Sequence, residues 1–563
     1  MGGASAAAMA PADGVAATPL YVAPPEAFSP LRVLLLLPDP APAWLLRFTA
    51  LAAASRWVDP VVVRVEGAAI PEVERVAPDV RAHLALDRWR SRSPRRDGGP
   101  LEAVPLGGNV AGGGPQLSAG MPVSVLREAM RALRPDLVML LGPPAWGEVL
   151  AGCARAGCWR LDAGLADPTY GGLELFAPLA TGEHATELAF DLVLSDGRVE
   201  RLATTWGSTQ KGSFHEQREL AMRKLPALLL RVFRRLAAGG IDLPAGALAT
   251  LRLAPPSPVR AAGLRAFFAA CGHYAARRIA RLRGRREGEP WRLVLRHGQP
   301  PLDPRAPVVG AHVVLRPESD DAWADPCLVD ADGRRLLFVE EFPPDMGSNG
   351  IIVCLELRGD GRAERLGVVL EEPFHLSYPQ PFRWEGQWYM TVESGAARRV
   401  SLYRAEDFPF RWIRIGDLIA GRACVDPTLH QHQGHWYLFA NVSESGGSTC
   451  DELFLFVADS PMGPFHPHPA NPIVSDVRHA RPAGRLFEHH GRLVRPAQNC
   501  GPSYGAEVAF REITVLTPTR YEERPLGQLG AWARGLDGCH TYSAIDGVEV
   551  LDVRDRSAVP DHP

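Results

Sequence analysis

The chain has 563 residues, more than a single domain usually holds, and is 46% hydrophobic and 22% charged, so it can bury large cores. A net charge of −3 and a pI near 6.6 exclude the global basic excess of a nucleic-acid binder. Nine dispersed Cys with no C-x-x-C pair exclude a disulfide scaffold and suit free thiols in a reducing, cytoplasmic compartment.

Residues 1–30 are rich in Ala and Pro with no basic leader, which predicts a disordered tail. Leu31 to Leu37 reads as a buried strand, far too short to span a membrane. A helix around Trp44 to Arg56 and a strand from Pro60 to Val65 complete a β-α-β opening. Residues 90–120 hold Arg, Gly and Pro in bulk and predict a loop. An amphipathic helix over Val123 to Leu133, a strand over Leu137 to Leu141 and a helix over Trp146 to Ala156 follow. The alternation predicts a Rossmann-like α/β domain over 31–240 with a doubly wound, mostly parallel sheet.

Pro-rich residues open a linker over 241–290. Within it, 259–286 reads as a basic amphipathic helix, with Phe267, Phe268 and Tyr274 opposite Arg277, Arg278 and Arg281. Two readings stand: contact with a membrane surface or partner enzyme, which would place the protein at the inner membrane face, or a solvated bridge between domains.

From 291 to 555 one phrase recurs. Ala324-Asp325-Pro326, Ser377-Tyr378-Pro379, Val425-Asp426-Pro427 and Ala480-Arg481-Pro482 each precede a Gly and an apolar or aromatic strand. The anchors Asp325, Tyr378, Asp426 and Arg481 are 53, 48 and 55 residues apart, the period of propeller blades. A shortened fifth head at Gly538 to Ser543 gives five blades, and a strand near 291–315 is expected to close the ring.

In this plan head residues and second-strand ends meet at one mouth. That gathers Asp325, Tyr378, Asp426 and Arg481 with Glu340 or Glu341, Glu393, Asn441 and Gln498, and His375, Arg495, Tyr504 and His540 nearby. Carboxylates, amides and aromatic faces suit a sugar. Trp323 is the platform candidate, whereas Trp388-Tyr389 and Trp436-Tyr437 read as core between blades. His430, His432 and His435 have no acidic or Cys partner at a fixed spacing, and no pattern calls for a metal or another cofactor.

Three resemblances add to this. Gly157 to Gly164, Pro168-Thr-Tyr-Gly-Gly and Gly182 with Thr186 resemble the formyltransferase family, which implies a folate-type site and formylation of an amino sugar. Arg160 and Asp162 stand where that family has Asn and His, so the domain is read as degenerate. The Asp-Pro heads at Asp325 and Asp426 resemble the five-bladed arabinanase, levansucrase and invertase type of glycoside hydrolase. Trp323 to Pro326, His375 to Pro379, Val425 to Leu429, Ala458 to Phe465, Ala480 to Phe487 and Arg495 to Gln498 together resemble the N-terminal domain of the plant glucosamine inositolphosphorylceramide transferase family. This implies a sugar or glycolipid ligand and a role in surface-glycan or glycolipid biosynthesis. In that family a glycosyltransferase domain follows, and none is read before Pro563.

Beside amino-sugar formylation by the first domain, two functions remain open for the propeller at this level. One is an enzyme that cleaves or transfers a glycosyl group through Asp325, Asp426 and Glu341 or Glu393, with Trp323, His375, Tyr378, Arg481, Arg495, Gln498, Tyr504 and His540 binding substrate. The other is a sugar-binding module serving a partner glycosyltransferase. The hydrolase resemblance implies a Glu at the fourth head, where this chain has Arg481.

Overall fold

A computed structural model describes residues 16–74, 76, 78–90, 102–106, 113–254, 272, 291–343, 349–359, 361–533 and 535–555. They form two units, one within 23–254 and one comprising 16–22, 291–443 and 448–555.

The first unit is built on an eight-stranded sheet. Its strands are β1 (Leu31–Leu37), β2 (Val58–Glu66), β3 (Gly113–Ser118), β4 (Leu137–Leu140), β5 (Cys158–Leu161), β6 (Ala185–Leu194), β7 (Val199–Ser208) and β8 (Leu248–Leu253). Their spatial order is β3-β2-β1-β4-β5-β8-β6-β7. The first six in that order pair in parallel, and β6 and β7 add antiparallel, so the sheet is mixed. Strand β1 is apolar on both sides because both faces are covered. Val33 and Leu35 pack with Trp44 and Phe48 of helix α1 (Ala43–Ser55), while Leu34 and Leu36 pack with Leu126 and Met130 of helix α2 (Val123–Leu133).

Two expectations need correction here. The loop read over 90–120 contains β3, whose pairing with β2 is carried by backbone groups that its Gly-rich sequence does not advertise. The linker read from 241 begins too early. Leu248–Leu253 inserts between β5 and β6 with every second residue buried, so the unit extends at least to 253. Asp162, at the formyltransferase His position, accepts the Gly164 N–H at 2.8 Å and caps a turn. The basic segment 259–286 lies outside the described residues apart from Gly272. Among the described residues, no helix is long and apolar enough to cross a membrane.

The second unit is a five-bladed β-propeller. Blade one holds β11 (Ala322–Ala331), β12 (Arg334–Phe342), β13 (Ile351–Leu357) and β14 (Ala363–Leu370). Blade two holds β15 (Ser377–Trp384), β16 (Gln387–Ser394), β17 (Arg399–Asp407) and β18 (Arg411–Ala420). Blade three holds β19 (Cys424–His432), β20 (His435–Val442), β21 (Leu453–Ala458) and β22 (His466–Pro467). Blade four holds β23 (Phe487–His489), β24 (Arg492–Asn499), β25 (Glu507–Leu516) and β26 (Tyr521–Leu529). Blade five joins β27 (Leu536–Gly538), β28 (Tyr542–Ile545) and β29 (Val548–Asp555) to β9 (Trp291–His297) and β10 (Val313–Leu315). Strand β9 lies antiparallel to β29 from Trp291 opposite Arg554 to His297 opposite Val548, which closes the ring as expected.

The blades share one turn. Asp332-Gly333, Glu385-Gly386, Gln433-Gly434, His490-Gly491 and Asp546-Gly547 all have both residues at positive φ. This is the type I′ hairpin, whose twist matches the flanking strands. Trp436 and Tyr437 pack between blades, as the sequence predicts.

The tail also needs correction. Residues 1–15 lie outside the described residues, but 16–22 are ordered along the edge of blade two. Thr18 N–H donates to Ala420 O, and Ala420 N–H to Thr18 Oγ1, both at 2.9 Å. Leu20 is buried beside Leu418 and Phe454, and Asn471 Nδ2 donates to Leu20 O at 3.1 Å. An edge strand leaves backbone groups open, and a short apolar segment covers them.

Gly484 sits where blades four and five converge. Its φ is +119°, and a Cβ there would lie 2.0 Å from Tyr542 O. Its N–H donates to Tyr378 Oη at 2.6 Å. Gly484→Ala is therefore expected to lower propeller stability by about 3 kcal/mol, through strain and a backbone clash. The urea midpoint checks this; an unchanged midpoint would refute the close packing at the axis.

Candidate functional site

The site is built from the heads. Asp325, Tyr378 and Asp426 each precede a Pro, which disfavours ordinary helical backbone, and each is held at φ of +51°, +48° and +49°. The ladder slips at all three, between Ala324 and Cys327, Ser377 and Gln380, and Val425 and Thr428. Such a bulge re-aims backbone and side chain at the strand start.

The reason for the strain is visible in the partners. Asp325 N–H donates to Asp552 Oδ2 at 3.1 Å, Tyr378 N–H to Asp325 Oδ2 at 3.2 Å, and Asp426 N–H to Glu393 Oε2 at 3.1 Å. Each carboxylate comes from the neighbouring blade. Asp552 also takes the N–H groups of His540 and Thr541, at 2.9 and 2.8 Å. A belt of carboxylates thus ties five around to one, one to two, and two to three.

The fourth head completes the belt by charge. Arg481 Nε and Nη2 grip Asp426 Oδ2 and Oδ1 at 2.6 and 3.2 Å. Gln498 Nε2 donates to the same Asp426 Oδ2 at 2.7 Å. Arg481 lies 3.8 Å from Glu393 Oε2 and its guanidinium sits 4.9 Å over the Tyr504 ring. The ring of Tyr504 meets His540 edge-on at 5.4 Å. His540 Nδ1 is 2.6 Å from Asp552 Oδ2, and its Nε2 is 3.5 Å from Asp325 Oδ1.

Burial sets the proton affinities. It pushes the Asp325 carboxyl up to about 7; the His540 charge opposes this, and the charges of Glu340, Asp426 and Asp552 add to it. Burial likewise holds Glu393 well above the usual carboxylate range, reinforced by Asp426 and opposed by Arg481. Burial disfavours the charged form of His540, but Asp552 together with the Asp325 and Asp426 charges outweighs it and lifts the imidazole to about 9. His375 is also raised: its pairing with Glu340, 3.0 Å away, exceeds the cost of burial.

The structure therefore gathers Asp325, Asp426, Glu393, Arg481, Tyr504, His540, Tyr378 and Gln498 around the axis, with His375 and Glu340 at one side. Asp325, Asp426, Gln498 and Tyr378 form the buried floor. Tyr378 Oη bonds Thr428 Oγ1 at 2.8 Å, so its hydroxyl is engaged in the fold. His375 is the open group, with 46% of its side chain exposed, and Glu393 is reachable at 13%.

Three predicted site residues lie elsewhere. Trp323 is buried and donates its indole N–H to Glu341 at 2.9 Å, which makes it core rather than platform. Glu341 is clamped by Arg365 at 3.0 and 2.6 Å and is lowered: Arg365 and Trp323 outweigh its burial. Arg495 is buried against Glu523, at 2.9 Å through Nε, and against Tyr521 Oη at 3.2 Å. It is a structural ion pair of blade four. Asp552 and Thr541, which donates to Asp325 Oδ1 at 2.8 Å, went unrecognised in the sequence.

Asp325, His540 and Asp552 offer ligand atoms within 4.8 Å of one another. The same atoms face one another, His540 Nδ1 at 2.6 Å from Asp552 Oδ2 and Nε2 at 3.5 Å from Asp325 Oδ1.

Residues 307–530 match the protein family described as glucosamine inositolphosphorylceramide transferase 1, N-terminal. The glucosamine inositolphosphorylceramide transferase 1 of Oryza sativa subsp. japonica is 35% identical over 206 residues, which cover 36% of this chain and 28% of that protein. The Arabidopsis thaliana protein of the same name is 33% identical over 203 residues, covering 36% of this chain and 26% of its own length. The chain thus spans little more than a quarter of the length of these relatives. A family 117 glycoside hydrolase of Zobellia galactanivorans aligns over 49% of this chain and 93% of its own, at 13% identity and a TM-score of 0.33.

Proposed function

We propose that the propeller is a glycosyl-binding module of surface-glycan or glycolipid biosynthesis, which holds a sugar at the mouth of the belt without cleaving it. Arg481 carries this reading. Hydrolysis needs a second free carboxyl, and at the fourth head, where the hydrolase resemblance implies a Glu, a guanidinium grips Asp426 instead. Asp325 is equally engaged, by Tyr378 N–H and Thr541.

The open groups suit binding. Burial holds the Glu393 carboxyl well above the usual carboxylate range, which favours the protonated form that can donate as well as accept a hydrogen bond with a sugar hydroxyl. Tyr504 offers an aromatic edge and His375 a reachable imidazole. The relatives' name refers to glucosamine, which makes an amino sugar the first ligand to test, with transfer chemistry supplied by a partner enzyme.

Calorimetric titration with glucosaminides, neutral hexosides and acidic glycans, beside a turnover assay, tests this. Binding without turnover is expected, and Tyr504→Ala is expected to weaken it by about tenfold, the worth of one partly desolvated aromatic contact. Turnover that disappears in Glu393→Gln would replace this reading with a catalytic one.

A further inference from the structure

Arg481 has a second neighbour besides Asp426. Its Nη1 lies 4.0 Å from Cys450 Sγ and 3.4 Å from Thr449 O, in the segment between β20 and β21. Cys500 follows β24 directly, on blade four. Its backbone N–H donates to Val477 O at 3.0 Å, and its Sγ lies 3.7 Å from Gln498 Oε1. The two thiols hydrogen-bond one another. Gln498 and Arg481 therefore connect this thiol pair to Asp426 from two sides.

The pair is asymmetric. Cys450 is partly exposed and Cys500 is buried. The bond from Cys500 and the Arg481 charge together outweigh burial at Cys450 and bring its thiol down to about 6. The same bond and burial hold Cys500 well up. A reachable thiolate beside a cation, with a protonated thiol behind it, is the arrangement of an attacking and a resolving cysteine.

We propose that Cys450 and Cys500 form a peroxide-responsive dithiol built into the site. The Cys450 thiolate attacks one oxygen of hydrogen peroxide, the O–O bond breaks, and hydroxide leaves, giving a sulfenic acid at Cys450. Cys500 then attacks the Cys450 sulfur, the S–O bond breaks, and the departing hydroxide takes the Cys500 proton as water. The two thiols lose two electrons and peroxide becomes two waters. Formation of the disulfide removes the thiolate from Arg481, whose charge is left to Asp426 and Glu393. This step is independent of what fills the pocket.

The test uses the full chain and needs no sugar. After peroxide treatment under native conditions, peptide mapping is expected to find Cys450 linked to Cys500. In Cys500→Ser, dimedone is expected to label Cys450, and in Cys450→Ser neither position should oxidise. Alkylation of Cys450 by iodoacetamide should change less than about twofold between pH 7 and 8.5, whereas an ordinary thiol gains about fifteenfold. Cys153, also partly exposed, is the internal comparison. A link that forms only in denaturant, or a Cys450 that dimedone labels no faster than Cys153 in Cys500→Ser, would overturn the proposal.

Discussion

Replacing Arg481 with Met is expected to destabilise the propeller by about 3–5 kcal/mol at pH 7, far more than loss of a surface pair, which costs at most about 1 kcal/mol. Asp426 is 1% exposed and Arg481 supplies its charge partner in a bidentate grip. Removing the guanidinium leaves a buried carboxylate with Gln498 and nothing cationic on it, and it strips Glu393 of the charge that opposes its protonation. Asp426→Asn in the Arg481→Met background should restore most of the loss by the same argument. Urea unfolding of the full chain measures this, in the transition that Gly484→Ala also moves. A loss below about 1 kcal/mol would mean that Arg481 is a solvated, ligand-facing group and not the lock on the belt.

The fold was legible where the sequence repeats a mechanical need. Five blades each need a tight turn, so an X-Gly pair recurs ahead of each second strand, and its spacing sets the period. That same count separates Glu340 from Glu341. Glu340, Glu393, Asn441 and Gln498 each lie seven residues after a hairpin Gly, whereas Glu341 lies eight after and therefore turns to the other face. The misreadings arose where the partner is distant. Glu341 and Arg495 look like pocket residues until Arg365 and Glu523 arrive from outer strands that carry no shared phrase. Asp552 has the same strand parity from Gly547 as the other inward residues, but the fifth head departs from the repeat and obscures it. Cys450 sits between strands, where no periodicity points inward. In the first unit β8 was lost among prolines, since a strand buried between two others is specified by its neighbours as much as by itself.

The belt should also make stability depend on pH, in the direction of loss on the alkaline side. His540 is lifted to about 9 in the folded state, against an ordinary value near 6.5. Folding therefore favours the protonated imidazole. Its contribution is complete below about pH 6.5 and fades as pH rises through 9. Asp325, raised to about 7 from an ordinary value near 4, acts in the same sense over a lower window: its ionisation penalises the fold progressively between those values. The two groups sit 3.5 Å apart and share protons, so the observed titration belongs to the pair. The wild-type propeller is expected to lose on the order of 3 kcal/mol between pH 6.5 and 9 from the His540 share alone. In His540→Gln that slope should disappear, because no proton is left to lose. In Asp552→Asn the slope should flatten from the other side, because the imidazole loses the partner at 2.6 Å that keeps it charged. The comparison of wild type with each variant across pH reads the titration of the coupled His540–Asp325 pair. Parallel curves for wild type and His540→Gln would show that the imidazole stays neutral in the folded state, and that the Asp552–His540–Asp325 contact is held together by packing rather than by charge.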